Sequence, residues 1–333
     1  MMQLSVLDQA PISRGSSPEE TLQNTIKLAQ ITEKLGYKRY WVAEHHNTSG
    51  LASTSPEILI GQIAARTNKI RVGSGGVLLP QYSPLKVAEN FKMLEGFHPN
   101  RIDLGLGRSP GGSQATRLAL TDGLKKSLSS FPRQVSEVQG FLHHSFPEDH
   151  PYRMVKAGPK VKSQPEMWVL GLSERGAKNA ANLGIGFTYG HFINPDNGEE
   201  ALSTYRERFR PSLDSSKPKT NVCIFVICAD TDREAEELAL SQDRWLLNVE
   251  KGRDTKVPSI EEAKSKQYND EELEKIKKNR KRAVIGSPDT VKSKLLELSR
   301  RYNNEEFMVI TNIYDFEAKI HSYRLLAQAF HLK

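Results

Sequence analysis

Segments typical of strands and of helices alternate along the chain in units of about 30 residues. The strand-like runs LSVLD (4–8), YWVAEH (40–45) and IRVGSGGVLL (70–79) are each followed by a segment with apolar residues at helical spacing. Each helical segment opens with Ser-Pro, in which the serine can cap the helix and the proline suits its first position. This alternation predicts parallel strands, because each helix carries the chain back to the start of the next strand.

Five further strand-like runs follow. RIDLGLG (101–107) is the fourth strand, and the last four are MWVLGL (167–172), IGFTYGHF (185–192), NVCIFVICAD (221–230) and FMVITNIY (307–314). Eight strand–helix units in 333 residues predict an α/β fold, a (β/α)8 TIM barrel with insertions that forms a single domain over residues 1–333. A doubly wound open sheet is the alternative for the same alternation.

Two stretches interrupt the alternation. Residues 109–165 contain one amphipathic segment and a loop rich in histidine and proline, and residues 250–283 are polar and charged. The second stretch lies just before the last strand–helix unit. We predict a mobile insertion at about 250–283 that acts as an active-site lid, and mobile packing without that role is the alternative.

Composition and charge argue against several functional classes. No window of about 18 consecutive apolar residues is present, and the first residues lack the pattern of a secretory signal. Cys223 and Cys228 lie in one strand-like run on opposite faces, which predicts free buried thiols and a cytoplasmic location. The net charge is +7, but the basic run IKKNRKR (276–282) follows acidic residues and contains no aromatic residue, which favours a solvated helix over a nucleic-acid surface.

In a barrel of this kind the carboxyl ends of the strands carry the functional site. That rule selects a short set of polar and glycine positions. They are Asp8 and Gln9, Glu44, His45 and His46, Ser74, Gly75 and Gly76, Gly107, Arg108 and Ser109, Gly171, Leu172 and Ser173, and Tyr189, Gly190 and His191.

The residue types at these strand ends suggest a ligand other than a metal. His45 and His46 are adjacent, so on an extended chain their rings face opposite sides and do not share one ion. Gly75 and Gly76 would let a flat ligand lie against bare backbone. Arg108 suits a phosphate group, and the helix that begins near Ser173 would add backbone N–H groups to the same anion.

The motifs LGYKRYWVAEHHN, IRVGSGGVLLPQYSPLKVAENFKMLE, RIDLGLGRSPGG and VLGLSERGAKNAANLG resemble those of the bacterial luciferase-like flavin monooxygenases. The resemblance extends over most of the chain. It implies a (β/α)8 barrel, usually a homodimer, that receives reduced FMN from a separate flavin reductase. In that family dioxygen adds to the flavin to form a C4a-peroxyflavin, which oxidises an organic substrate.

The resemblance also implies roles for individual residues. His45 matches the family's active-site histidine, which transfers a proton. Gly75–Gly76, next to Ser74, matches a cis peptide bond that forms a bulge under the flavin ring. Arg108 and Ser173 match the residues that bind the flavin phosphate. A further set is predicted to line the substrate pocket: Asp8, Gln9, Tyr189 and His191, the last of which stands where luciferase has an indole.

Two alternatives keep the barrel and change the chemistry. Some relatives use the deazaflavin F420 and transfer a hydride without oxygen, and their longer charged cofactor would need additional basic residues at the opening of the barrel. Other relatives bind flavin without turnover. The organic substrate itself is not predicted from the sequence.

Overall fold

Nine parallel strands form the central sheet of the computed structural model, which describes residues 2–109, 111–252 and 255–333. The strands are β1 (Gln3–Asp8), β2 (Arg39–Val42), β3 (Arg71–Leu78), β4 (Ile102–Gly107), β5 (Glu166–Gly171), β6 (Gly186–Gly190), β7 (Thr220–Cys228), β8 (Ala283–Gly286) and β9 (Glu306–Ile310).

The helices are α1 (Pro18–Lys34), α2 (Pro56–Ala64), α3 (Pro84–Phe97), α4 (Gln114–Leu120), α5 (Phe131–His143), α6 (Glu174–Leu183), α7 (Gly198–Arg208), α8 (Asp232–Glu250), α9 (Ile260–Ser265), α10 (Asp270–Arg280), α11 (Pro288–Tyr302) and α12 (Phe316–Phe330). The predicted Ser-Pro starts are present at α1, α2 and α3. Ser17 and Ser83 each accept a hydrogen bond from a backbone N–H of the first turn, which fixes where α1 and α3 begin.

Eight of the strands close into a parallel barrel, which confirms the predicted fold. Strands β1 to β7 pair in chain order, and β9 pairs with both β7 and β1 to close the ring. The short strand β8 is an addition that the sequence analysis missed. It pairs with Phe225–Cys228, the part of β7 that extends beyond its pairing with β6.

Alternate residues of the strands fill two separate layers. One set packs against the helices and includes Val6, Val42 and Phe187. The other set faces the barrel interior and includes Leu7, Trp41, Trp168, Phe225 and Met308. Cys223 belongs to the inner set and Cys228 to the outer one, and both thiols are free, as the spacing of five predicts.

Charged side chains fill the N-terminal end of the barrel. The Arg39 guanidinium lies 2.8 Å from Asp103 Oδ2, 2.9 Å from Glu306 Oε1 and 3.1 Å from Glu166 Oε1. Trp41 Nε1 donates to the same Asp103 oxygen at 2.8 Å. Opposite charges paired in this way satisfy one another inside the protein and leave the other end of the barrel for a ligand.

The insertion at about 250–283 contains α9 and α10, and its residues 253 and 254 lie outside the described residues. Helix α10 is tied to α8 by Arg280, whose Nη2 lies 2.7 Å from Asp243 Oδ2. Val257 is fully buried, and its backbone N–H donates to Ile12 O at 2.9 Å. The insertion thus contacts the loop after β1 at the C-terminal end of the barrel, and its mobility stays a prediction.

Within the described ranges, none of the helices combines the length and the apolar composition that a membrane span requires.

Candidate active site

The carboxyl ends of the barrel strands surround one opening, here called the C-terminal mouth. After β2 ends at Val42, the backbone N–H of His45 donates to Ser53 O at 2.9 Å. The next strand is in register, with Val42 opposite Ser74. The histidine pair after β2 therefore lies beside the glycine bulge of β3.

Glu44 is the most strongly bound side chain at this end of β2. Its carboxylate accepts hydrogen bonds from His46 Nε2 (2.7 Å), from the backbone N–H of Leu78 (2.9 Å) and from the Tyr82 hydroxyl. The Glu44 side chain is only 1% exposed. The ring of His46 is therefore already hydrogen-bonded within the protein, to Glu44.

His45 differs from its neighbour. Its ring makes no hydrogen bond with any residue in the part of the chain that the structure describes. Burial, with a smaller contribution from the neighbouring His46, lowers the pKa of His45 to about 4. The imidazole is therefore neutral near pH 7 and has a nitrogen lone pair free to accept a proton.

The peptide bond between Gly75 and Gly76 is cis, as the resemblance implies. The pairing of β3 with β4 shifts its register between Gly75 and Val77, so the chain bulges here. A Cβ atom at Gly76 would lie 2.7 Å from Gly105 O, and one at Gly75 would lie 2.5 Å from Leu7 Cδ1. The backbone of β4 thus requires glycine at position 76, whereas at Gly75 the close neighbour is the end of a flexible leucine side chain that can move.

Ser74 is fully buried, and its hydroxyl is used by the sheet. It donates to Gly105 O at 2.9 Å and accepts from Gly105 N at 3.0 Å. These two bonds fasten β3 to β4 just before the bulge. The Ser74 side chain therefore supports the predicted cofactor site from within the sheet and does not reach its surface.

Arg108 and Ser173 follow neighbouring strands whose register places Leu106 opposite Val169, so they leave the sheet at the same end. Both are exposed. Arg108 has no hydrogen bond or ion pair with the described residues, and the Ser173 hydroxyl makes no capping bond although it precedes α6. Both side chains are available to an anionic group. A surface groove beside Ser173 adds Arg175 and Lys178, which the sequence analysis missed.

Gln9, which the sequence predicts to line the substrate pocket, lies at the C-terminal end of β1. It is 7% exposed and accepts a hydrogen bond from Asn312 Nδ2 at 3.3 Å. Asn312, just after β9, was missed although it follows a strand like the residues that were selected. Tyr82 was missed because it lies four residues beyond the end of β3, whereas the strand-end rule selects only the residues next to each strand end.

Asp8 lies outside the predicted substrate pocket. Its carboxylate accepts from the Thr25 and Tyr40 hydroxyls, both at 2.7 Å, and from Lys319 Nζ at 3.3 Å. Burial acts to raise the pKa of Asp8, but Lys319 and the two hydroxyls hold it below its usual value. Because Thr25 and Lys319 belong to α1 and α12, Asp8 joins the barrel to its outer helices.

Tyr189 and His191 also face the outer layer and correct the predicted pocket. The Tyr189 ring packs edge-on against Tyr302 of α11 with centroids 6.2 Å apart, and its hydroxyl donates to Asn194 O. His191 Nδ1 lies 2.9 Å from the Tyr302 hydroxyl. Burial lowers the pKa of His191 to about 4. Both residues stabilise the contact between β6 and α11.

Among the described residues, no group of three or more His, Cys, Asp or Glu side chains is arranged to hold a metal ion. The candidate site consists of the His45 imidazole, the Gly75–Gly76 bulge and the exposed side chains of Arg108 and Ser173, which lie on or just after the consecutive strands β2 to β5.

Comparison with known proteins gives a consistent result. The family model for luciferase-like monooxygenases matches residues 2–303. The chain is 62% identical over 330 residues to the uncharacterised protein YceB of Bacillus subtilis (strain 168), covering 99% of this chain and 100% of that one. It is 38% identical over 330 residues to the N-acetyl-S-alkylcysteine monooxygenase of the same organism, with 99% and 98% covered.

Solved structures share the architecture. Apo-MsnO8 superposes with a TM-score of 0.92 at 38% identity, covering 100% of this chain and 99% of that one. Two distant structures show the fold alone. The oxygenating component of 3,6-diketocamphane monooxygenase from Pseudomonas putida, in complex with FMN, has a TM-score of 0.70 at 20% identity, with 98% and 97% covered. An F420-dependent secondary alcohol dehydrogenase has a TM-score of 0.71 at 15% identity, with 98% of each chain covered.

The family match and the full-length relatives agree with the barrel and with the arrangement of its strand ends. The chain belongs to the luciferase-like monooxygenase family and is an oxidoreductase.

Proposed function

We propose that this oxidoreductase is a flavin-dependent monooxygenase that uses reduced FMN and dioxygen to oxidise a small organic molecule. The observation that carries the proposal is the neutral, unbound imidazole of His45 beside the cis Gly75–Gly76 bulge. When bound, FMN would supply the electrons and the position at which oxygen reacts. The chain would supply a proton acceptor, an anion site and a closed environment.

The residues after β4 and β5 fit the anionic tail of such a cofactor. Arg108 is exposed and unpaired among the described residues, and a guanidinium can bind two phosphate oxygens at once. The Ser173 hydroxyl makes no capping bond at the start of the ten-residue helix α6, whose first backbone N–H groups also favour an anion. These groups would hold the phosphate of the cofactor, with His45 two strands away on the same mouth.

His45 would accept a proton at its free ring nitrogen and return it in a later step. A general base must be unprotonated at the operating pH, and a ring nitrogen without a hydrogen-bond partner is free to accept the proton. His45 meets both conditions, whereas His46 is hydrogen-bonded to Glu44. We therefore assign the proton transfer to His45 and a structural part to His46.

The insertion would close the mouth as a lid. Thr255 O accepts the indole N–H of Trp245 at 2.7 Å, and Val257 is inserted among the apolar side chains of the barrel interior. The segment that carries them bonds to the loop after β1 through Ile12 and Arg14. Closure of this segment would exclude water from a reactive site.

The proposal includes two partners and a compartment. A separate flavin reductase would deliver reduced FMN. A homodimer would cover the apolar residues that α2 and α3 expose, since Ile58, Met93 and Phe97 are 67%, 50% and 73% accessible. The free, buried thiols of Cys223 and Cys228 fit a reducing cytoplasm.

The first test mixes protein-bound reduced FMN with dioxygen and a panel of thioethers, chosen because one relative is named for an S-alkylcysteine derivative. We expect oxygenated product from the native protein. His45→Asn should bind FMN within about threefold of the native affinity and form product roughly 100-fold more slowly. His331→Asn, a control at an exposed histidine after α12, should behave as the native protein does.

The same experiment separates the alternatives. Reoxidation of reduced FMN at the same rate with and without protein would overturn the proposal. Tight binding of F420 together with weak binding of FMN would favour hydride transfer. Flavin binding without product in both the native protein and His45→Asn, over a broader substrate panel, would favour a binding protein without turnover.

A further inference from the structure

Three side chains beside His45 form one hydrogen-bonded group, here called the Glu44 group: Glu44, His46 and Tyr82. Glu44 Oε1 accepts from His46 Nε2 at 2.7 Å and from the Tyr82 hydroxyl, and the hydroxyl lies 3.4 Å from the same His46 nitrogen. Because a carboxylate only accepts hydrogen bonds, His46 must carry a proton on Nε2. The geometry therefore selects one tautomer and one orientation of the ring.

The Glu44 group also joins two parts of the candidate site. Glu44 follows β2, whereas Oε2 of its carboxylate accepts the backbone N–H of Leu78, the last residue of β3. Leu78 comes two residues after the cis Gly75–Gly76 bond. One carboxylate thus ties the strand end that carries His45 to the strand that carries the bulge.

Few charges act on this group. Within the described chain, His46 Nε2 is the only side-chain nitrogen of a basic residue within salt-bridge distance of Glu44. Glu57 on α2 is a further carboxyl that this group affects, since burial followed by the charge of Glu44 raises the pKa of Glu57. Burial and the hydrogen bond to Glu44 raise the pKa of Tyr82, so its hydroxyl stays protonated and keeps donating. The His46 ring is then the one member that can change its tautomer.

We propose that Glu44 is a positioning residue of the proposed monooxygenase site. By fixing the Nε2–H tautomer of His46, Glu44 keeps the His46 ring from competing with His45 for the transferred proton. It also holds the bulge of β3 at a constant distance from His45. This inference rests on the proposed function for its catalytic consequence only, because the orientation of the rings can be measured without any flavin.

The test compares Glu44→Gln, which keeps the shape of the side chain and removes its charge, with Tyr82→Phe and with the control Glu57→Gln. Glu57 is half-buried, lies close enough for its pKa to be affected by Glu44, and does not hydrogen-bond His46. Nitrogen-15 NMR of the histidine rings in the full chain reports the tautomer. Product formed per reduced FMN, and its dependence on pH, report the action through His45.

We expect a single Nε2–H tautomer of His46 in the native protein, in Tyr82→Phe and in Glu57→Gln, and a mixture of both tautomers in Glu44→Gln. Product yield should fall roughly tenfold in Glu44→Gln and less than about twofold in Glu57→Gln, with FMN affinity nearly unchanged. An unchanged tautomer in Glu44→Gln would overturn the proposal, whatever the yield. Should Glu44→Gln not fold, a mixed tautomer in the native protein would overturn it equally.

If the native protein forms no product, the proposed function fails while the NMR comparison still decides the role of Glu44. If product forms and Glu44→Gln mixes its tautomers without a loss of yield or a change of pH profile, the positioning role fails and the proposed function stands.

Discussion

His45 and His191 each have a pKa of about 4, against an ordinary value of 6.5. Burial is the main cause for both, and His46 adds to it at His45. Between pH 6.5 and about 4, both histidines bind a proton in the unfolded chain but stay neutral in the folded protein. Folding stability from the two residues is therefore fully present above about pH 6.5 and is lost as the pH falls towards 4.

His191 allows this to be tested away from the proposed chemistry. Lowering the pH from 8 to 5 should reduce the free energy of unfolding by about 2 kcal/mol for each of the two histidines. His191→Asn removes one titrating group, so we expect its stability to fall less over that range than that of the native protein. Urea unfolding at pH 8, 6.5 and 5 measures the difference. An identical pH dependence in the two proteins would contradict the assignment.

The same residues show what sequence reasoning could and could not predict of the site. The strand-end rule placed Gln9, His45 and Arg108 at the C-terminal end of the barrel, where the structure has them. It did not give the face of each side chain. Tyr189 has the same parity as Phe187, which packs against the helices, and a shift of one residue along a strand reverses the face. Applying that parity to each strand end would have placed Tyr189 correctly.

At the scale of elements, close packing of β3 on β4 explains the glycines. A Cβ at Gly76 would meet backbone, 2.7 Å from Gly105 O, whereas one at Gly107 would lie 3.7 Å from its nearest neighbour, Val77 O. Backbone atoms cannot move aside as a flexible side chain can. The bulge therefore depends on Gly76 and tolerates a larger residue at Gly107.

We expect Gly76→Ala to lower the free energy of unfolding by about 1–3 kcal/mol, the usual cost of forcing an additional methyl group into a packed site. Gly107→Ala serves as the matched control, with a methyl group added to the neighbouring strand in ordinary contact, and should change stability by less than about 1 kcal/mol. Thermal or denaturant unfolding of both variants provides the comparison. Equal losses of stability in the two variants would show that the bulge does not require glycine at position 76.

Elements were predicted well where their pattern was long and regular. All eight barrel strands were found, because each is an apolar run followed by a helix start. Strand β8 was missed because it has only four residues and follows the charged helix α10. Helices α9 and α10 were not resolved within the insertion for a similar reason, since few of their residues are buried and the apolar stripe that reveals a helix is weak.

At the scale of the whole molecule, stability and the proposed chemistry are concentrated at opposite ends of the barrel. Arg39 is 3% exposed and is paired with Asp103, Glu166 and Glu306 at the N-terminal end. Removing one partner from a buried ion network leaves the others without their compensating charge. At the C-terminal mouth, by contrast, Arg108 is exposed to solvent.

Arg39→Met should lower the free energy of unfolding by about 3 kcal/mol and leave FMN affinity unchanged. Lys27→Met removes an exposed ion pair, Lys27 Nζ to Glu317 Oε1 at 3.1 Å, and should cost less than about 1 kcal/mol. Denaturant unfolding and a cofactor titration of both variants measure the two effects. A large loss of affinity in Arg39→Met would show that the two ends are coupled.

Because side chains fill its N-terminal end, the barrel is open only at its C-terminal mouth. Arg39, Trp41, Asp103 and Trp168, all nearly inaccessible, occupy its floor. In the proposed monooxygenase, dioxygen, organic substrate and cofactor would therefore all enter through the C-terminal mouth, and the molecule bound deepest would have to enter first and leave last.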